Sequence, residues 1–309
     1  MSIEILRPSS RDDWLATRRQ SVGASEVGAL LGVHPWISGF ELFAKKTGKI
    51  TDDSDSPALR RGRMLEQVAV QMIAEERPDW KLQPNPMPGG EFYRDGEVRL
   101  SCTPDLFVEE DGQIGYANCQ IKSVQSSVFR KEWRDEAGEL MPPLYAVVQS
   151  LVEARLTGSA RAYVAALVVD YGIDVHIIEI PMHQAVVDRA IQATRDFWAM
   201  IDRGEEPPID YARDGEAIER MFAADDGSEV DLSGNERAAA IRQQRTLTAS
   251  FIKQHEATKK ELDAEMQHIL GNHSAGIFAD GKKVTWRTIN RKGYEVNPTT
   301  FRQMRYPQE

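Results

Sequence analysis

The chain has 309 residues, 41% of them hydrophobic and 28% charged, with a formal net charge of −10. That length gives one large domain or two modest ones around a substantial core, and the composition is that of an ordinary folded protein. The acid surplus argues against a protein that coats nucleic acid through bulk positive charge. Apolar runs such as Val164–Val169 are too short to span a bilayer, and the two cysteines cannot build a disulfide framework or a four-thiolate zinc site. The first residues lack the basic start and apolar stretch of a signal peptide, so a reduced, cytoplasmic setting is the expectation. Net acidity does not exclude a nuclease, because carboxylates that hold metal ions are themselves a source of it.

In chain order, Ser10 followed by Asp13 resembles a capping box and opens a short helix through Trp14 and Arg18. Gly23-Ala24-Ser25 breaks it, and Ser25 reads as the N-cap of a second helix over 26–31. Helices are expected over 40–46 and over 58–76, the latter ending before Pro78. A strand-rich stretch follows: Phe92-Tyr93, the turn signal Asp95-Gly96, then 98–102. Two further runs, 106–108 and 115–124, flank Asp111-Gly112, a hairpin signal. A helix begins after Pro142-Pro143 and is closed by Gly158. Strands over 162–169 and 173–180 and a helix over 184–202 come next.

Gly204 to Pro208 reads as a linker. It separates a core at 1–205 from an appendage at 206–309, which carries a long polar helix over 234–270 and a hairpin over 275–288 around Asp280-Gly281. Helices flanking a mixed sheet make the core α/β (α+β).

The chemistry-bearing residues concentrate in the strand Asn118-Cys119-Gln120-Ile121-Lys122. Alternation puts Asn118, Gln120 and Lys122 on one face, with Cys119 and Ile121 directed to a core. The Asp111-Gly112 hairpin folds Asp105 back beside Gln120 and Lys122, so a carboxylate, an amide and an ammonium converge. The spacing alone leaves open a solvated sheet face. Glu66 shares a helical stripe with Gly62, Ala69, Val70 and Ile73, where an unpaired buried carboxylate would be costly. Gln149 lies among Tyr145, Val152 and Leu156, a place for a hydrogen-bonding role near the sheet or an inter-helix contact. Arg18 and Ser25 pair a guanidinium with a hydroxyl at a helix start, a combination suited to phosphate. There is no GxxxxGK[ST] loop, no GxGxxG, no HExxH and no Gly-x-Ser-x-Gly elbow.

Taken together these segments resemble the lambda exonuclease and YqaJ-like viral recombinase branch of the PD-(D/E)XK nucleases, over roughly 11–208. The resemblance rests on five stretches in order. They are Trp14 to Gly32 with Arg18 and Ser25, Arg61-Gly62-Arg63 to Glu66, Ser101 to Asp105, Gln120-Ile121-Lys122 where the family has Glu-x-Lys, and Tyr145 to Gly158 with Gln149.

It implies a restriction-endonuclease-like core and a Mg2+-dependent exonuclease, Mn2+ being a possible substitute. The enzyme would digest linear double-stranded DNA 5′ to 3′, leaving 3′ strands for an annealing protein in phage-type recombination. Asp105, Glu66 and position 120 would bind metal. Lys122 would act on the water, Gln149 would steady the site, and Arg18 and Ser25 would grip a 5′-phosphate. Asp95 resembles a further acidic position or is simply a surface turn residue. A ring-shaped homotrimer and a phage or prophage origin in a bacterial cytoplasm, away from membranes, complete the implication.

The departure is Gln120, whose neutral amide is a poorer Mg2+ ligand than a carboxylate. It leaves three readings: an active site that works with Gln, an engineered Glu→Gln change, or a DNA-end-binding protein that does not cut. An endonuclease of the same fold is a further alternative.

Overall fold

A computed structural model describes residues 2–51 and 56–290. The chain opens with β1 (Ile3–Leu6) and α1 (Arg11–Arg19), whose N-cap Ser10 accepts the Asp13 N–H at 3.1 Å. The short β2 (Val22–Gly23) leads into α2 (Ala24–Leu30), then α3 (Gly39–Lys46) and α4 (Pro57–Glu76). The N-cap of α2 is Gly23, not Ser25, which lies within the first turn. The reason is Glu26, whose Oε2 accepts the Gly23 N–H at 2.7 Å and so starts the helix two residues earlier.

Next come β3 (Trp80–Pro84), β4 (Phe92–Asp95), β5 (Leu100–Cys102), β6 (Leu106–Glu110) and β7 (Ala117–Gln125). They are followed by α5 (Ser126–Glu132), α6 (Leu144–Thr157), β8 (Arg161–Val169), β9 (Ile173–Ile180), α7 (Gln184–Asp202) and α8 (Gly215–Met221). The chain continues with α9 (Glu236–Leu270), β10 (Ala275–Ile277) and β11 (Lys283–Thr285). Among the described residues no helix is long and apolar enough to cross a membrane.

The central sheet has the order β3-β6-β7-β8-β9. Only the β7–β8 pair is parallel, joined by a crossover that contains α6. A second sheet, β1-β4-β5-β2, flanks it. Helix α4 covers one face of the central sheet, where Ile73 packs with Leu106, Val108, Cys119 and Ala165. Helix α6 covers the other, with Ala146, Leu151 and Val152 in the main core beside Val164 and Ala166. Strand β7 is therefore buried on both faces: Asn118, Cys119 and Gln120 are each 5% exposed or less. The polar face of this strand is thus roofed by a helix at Asn118 and Gln120, while Lys122 is half-buried.

Three expectations change. The first compact unit runs to Met221, not to 205, because α8 continues beyond the Gly204–Pro208 linker and packs Ala217 into the main core. The second unit is Phe222–Glu309, with α9 and the expected hairpin, in which Ala275 pairs with Thr285. Asp95 is buried, not a surface turn residue, because its Oδ1 accepts the N–H groups of Glu97 and Val98, both at 3.0 Å, and so builds the turn from inside.

Gly158 closes α6 with φ +71°, ψ +20°, and a Cβ there would meet nothing within 4 Å. The cost of a side chain at this position is conformational alone. Gly158→Ala is expected to lower stability by about 1 kcal/mol, read as an earlier urea midpoint at unchanged slope. An unchanged midpoint refutes the assignment of that cap.

Candidate functional site

The β6–β7 register fixes the site. Leu106 pairs with Cys119, so Asp105, one residue earlier, comes opposite Gln120. Its Oδ2 accepts the Ile121 N–H at 2.8 Å and a bond from Gln120 Nε2. Helix α6 lies across the same face and lowers Gln149 onto it. Lys122 Nζ donates to Gln149 Oε1 at 2.7 Å. Gln149 Nε2 donates to Gln120 Oε1 at 2.7 Å and to Glu153 Oε1 at 2.8 Å. Asn118 Nδ2 reaches Glu153 Oε2 at 3.4 Å and the Ser150 carbonyl at 3.1 Å.

The orientation of the amides follows from the groups at the ends of this chain. An ammonium only donates and a carboxylate only accepts. Lys122 therefore requires the Gln149 oxygen, which leaves the Gln149 nitrogen to donate to Glu153. The remaining Gln149 hydrogen requires the Gln120 oxygen, which leaves the Gln120 nitrogen for Asp105. Every bond in the chain agrees with this direction.

Electrostatics explain why the chain is so tightly bonded. Burial pushes Glu66 up to about 7, and the neighbouring Asp105 pushes in the same direction. Burial likewise raises Asp105 to about 6, against the opposing pull of Lys122, the Ile121 N–H and Gln120. Glu153, 1% exposed, is raised to about 8 by burial and by Asp105. Burial lowers the Lys122 pKa while Asp105 and Glu153 resist. Two carboxyls, Asp105 and Glu153, thus act on one ammonium, and a third, Glu66, acts on Asp105.

Their oxygen donors suit a hard divalent cation such as Mg2+ or Mn2+. Among the described residues no three His, Cys, Asp or Glu side chains form a metal-holding cluster. A cation here would rest on Asp105 and Glu66, with other oxygens completing its shell. Gln120 turns its NH2, not its carbonyl, toward Asp105.

Arg18 and Ser25 also meet: Arg18 Nη2 lies 3.4 Å from Ser25 Oγ and 3.4 Å from Glu26 Oε1. Glu26 is shared with Lys46 at 2.7 Å. Burial works to raise the Glu26 carboxyl, but Lys46 and Arg18 with the Gly23 N–H hold it at about 2. Two cations on one carboxylate leave a positive surplus. A cavity of about 60 Å3 lies here, lined by Arg18 and Ser25 on one side and Gln149 and Glu153 on the other. All seven residues singled out from sequence therefore fall in or beside one region. The residue that sequence reasoning missed is Glu153. Its signal was available, an acid four residues after Gln149 in an otherwise apolar helical stretch.

The sheet, with its Asp105 and Gln120-x-Lys122 strands, forms the mixed α/β core expected from the sequence. Residues 13–160 match the YqaJ-like viral recombinase domain. Over 286 residues the chain is 26% identical to the uncharacterized protein YqaJ of Bacillus subtilis (strain 168), covering 91% of this chain and 84% of that one. Among solved structures it is similar to an alkaline exonuclease, LHK-Exo, from Laribacter hongkongensis (17% identity, 67% of this chain and 98% of that chain, TM-score 0.49). It is also similar to a putative exonuclease from Eubacterium rectale (12% identity, 74% and 98%, TM-score 0.41).

The raised carboxyls make a prediction about stability. A carboxyl whose pKa rises on folding holds its proton more tightly in the folded chain, so stability is lost as pH climbs from its unfolded to its folded value. In chelator, the melting temperature should therefore fall from about pH 5 to about pH 8, and Asp105→Asn should flatten that slope. Glu26 works in the opposite sense, its contribution being lost only as pH falls from about 4 toward 2. A metal-free melting temperature that rises between pH 5 and 8 would contradict the site's electrostatics.

Proposed function

From the YqaJ-like viral recombinase domain that residues 13–160 carry, and from the cluster of Asp105, Gln120, Lys122 and Gln149 within it, we propose that the chain is a metal-dependent DNA nuclease. We infer further that it is a Mg2+-dependent exonuclease that enters linear duplex at a 5′ end and leaves a 3′ single strand for an annealing protein. The observation that carries the reading is the convergence of an ammonium with carboxylates on the buried face of β7.

The bound cation would supply Lewis-acid polarisation of the scissile phosphate and a lower water pKa. Asp105 and Glu66 would hold it, Asp105 through Oδ1, since both of its hydrogen bonds among the described residues arrive at Oδ2. Lys122, aimed by Gln149 Oε1, offsets charge on the phosphate and orients the attacking water. Its lowered pKa makes proton exchange near neutral pH easier than for a free lysine. Gln149 and Glu153 position Lys122 and Gln120 and do not touch the reacting atoms. Gln120 acts in this scheme as the donor that turns Asp105.

Arg18 and Ser25, with the positive surplus around Glu26, form the anchor for a terminal 5′-phosphate. Their sharing a cavity with Gln149 supports a phosphate bound beside the reaction centre. Such an anchor measures off cutting from an end, which favours exonuclease over endonuclease activity.

A second reading has one observation in its favour: the neutral amide at 120, which suits a DNA-end binder that does not cut.

The deciding experiment is digestion of 5′-phosphorylated linear duplex with Mg2+, beside a covalently closed circle. Shortening of the linear DNA alone is expected, with Asp105→Ala and Lys122→Ala each losing at least about 100-fold in rate. Glu153→Leu should lose about tenfold in kcat at unchanged KM, while Glu153→Gln, which keeps one acceptor, loses less. Intact linear DNA with Mg2+ or Mn2+, combined with end binding and with cutting by Gln120→Glu, would establish the second reading instead.

A further inference from the structure

Outside the cluster, one large apolar side chain is held in the open by a purpose-built loop. Trp36 is 70% exposed, in the connection between α2 and α3. The backbone beneath it is fixed from two sides. His34 Nδ1 accepts the N–H groups of Trp36 and Ile37 at 3.2 and 3.0 Å. Arg213 donates to the carbonyls of His34 and Ile37, the latter at 2.9 Å. Burial lowers the His34 pKa to about 4, and Lys122 and Arg213 push the same way, so the imidazole stays a neutral acceptor and the loop stays closed at physiological pH.

The indole is braced edge-on by two rings. It lies 5.6 Å from His34 at 76° and 5.4 Å from Tyr145 at 67°. Close approach of the loop to α6 depends on Gly28, where a Cβ would come within 3.4 Å of both the His34 and Tyr145 Cβ atoms.

Tyr145 stands one helical turn before Gln149, so the indole sits on the order of 10 Å from the amide that holds Lys122. Lys122 is also the first of the charges acting on His34. A tryptophan fixed in this way loses little side-chain freedom on contact, and its exposed π-face suits one class of partner that must come this close to a phosphodiester site, a nucleobase.

We propose that Trp36 is a stacking platform for a base of the bound DNA strand, next to the phosphodiester held at Lys122. The assignment rests on the nuclease reading above. It gives the site a grip on nucleic acid that is indifferent to sequence, since every base has a π-face. A protein partner covering the same indole is the competing occupant.

The test compares the full chain with Trp36→Ala and Trp36→Phe. Affinity for 5′-phosphorylated duplex is measured by fluorescence anisotropy in Ca2+. Hydrolysis of bis(p-nitrophenyl) phosphate, which has no nucleobase, is followed in Mg2+. Because the side chain is exposed, melting temperatures should match that of the native chain. Trp36→Ala should weaken DNA binding about tenfold and Trp36→Phe less than threefold, with hydrolysis of the small diester unchanged. A 2-aminopurine near the 5′ end should be quenched by the native chain and not by Trp36→Ala.

DNA affinity of Trp36→Ala within twofold of native overturns the platform, as does equal loss in Trp36→Phe. Affinity that stays native while the chain loses a protein partner assigns the indole to that partner. DNA binding without hydrolysis by the native chain defeats the nuclease reading while the anisotropy still decides the platform. No DNA binding by the native chain overturns both.

Discussion

The Gln149 side-chain amide is the joint on which this site depends. It receives the Lys122 ammonium on its oxygen and gives its two hydrogens to Gln120 and Glu153. Remove it and the Lys122 ammonium, the Glu153 Oε1 and the Gln120 oxygen each lose a partner in a largely buried place. Each would then carry a desolvation cost of a few kcal/mol. The amide is effective because it is both donor and acceptor at fixed spacing, and because the groups at either end of the chain can each play only one role. Direction is thereby imposed from Lys122 through to Asp105.

The fold supplies the conditions under which that joint matters. In the central sheet only the parallel β7–β8 pair needs a crossover, and that crossover carries α5 and then α6, the helix that lies over β7. The same connection that makes the sheet mixed also buries the polar face of β7 and brings Gln149 and Glu153 down onto it. Had β7 and β8 been joined by a hairpin, Asn118, Gln120 and Lys122 would face water. The pKa shifts of Asp105, Lys122 and Glu153, which begin in every case with burial, would weaken with it. Stability and chemistry therefore pull against each other here. The raised carboxyls are a cost carried by the apolar layers on both sides, around Ile73 below and Leu151 above.

Much of this was legible in the sequence because it is written in short-range periodicity. Alternation placed Asn118, Gln120 and Lys122 together, and the Asp-Gly turn brought Asp105 back to them. The 3.6-residue stripe singled out Glu66 and Gln149. What escaped was set by long-range contacts. Glu153 stands out as an acid one turn after Gln149 in an apolar stretch, but what it meets is fixed only once β7 is known to lie beneath it. Asp95 looks like a surface turn until its backbone partners are seen. Strand β3, Lys- and Gln-bearing and ending at Pro84, has the character of an edge strand and none of the alternation of a core one. The early start of α2 depends on the Glu26 side chain, which reaches back to Gly23 while Lys46 of another helix holds it ionised.

The amide at position 120 then has a physical account that does not treat it as a damaged carboxylate. The position must accept from Gln149 and donate to Asp105 at once, and of the two side chains only glutamine can do both. A glutamate there would set a second carboxylate directly against Asp105 and add a fourth acid to a centre that holds one ammonium. That arrangement is tolerable with a cation between the two acids or with one of them protonated. An acid is already present at Glu153, one amide away, where it accepts from Gln149 and does not face the metal ligand. Changing position 120 alone therefore alters two things together, the donor on Asp105 and the net charge of the cluster. The same residue that departs from the Glu-x-Lys pattern is what makes the rest of the hydrogen-bond chain self-consistent.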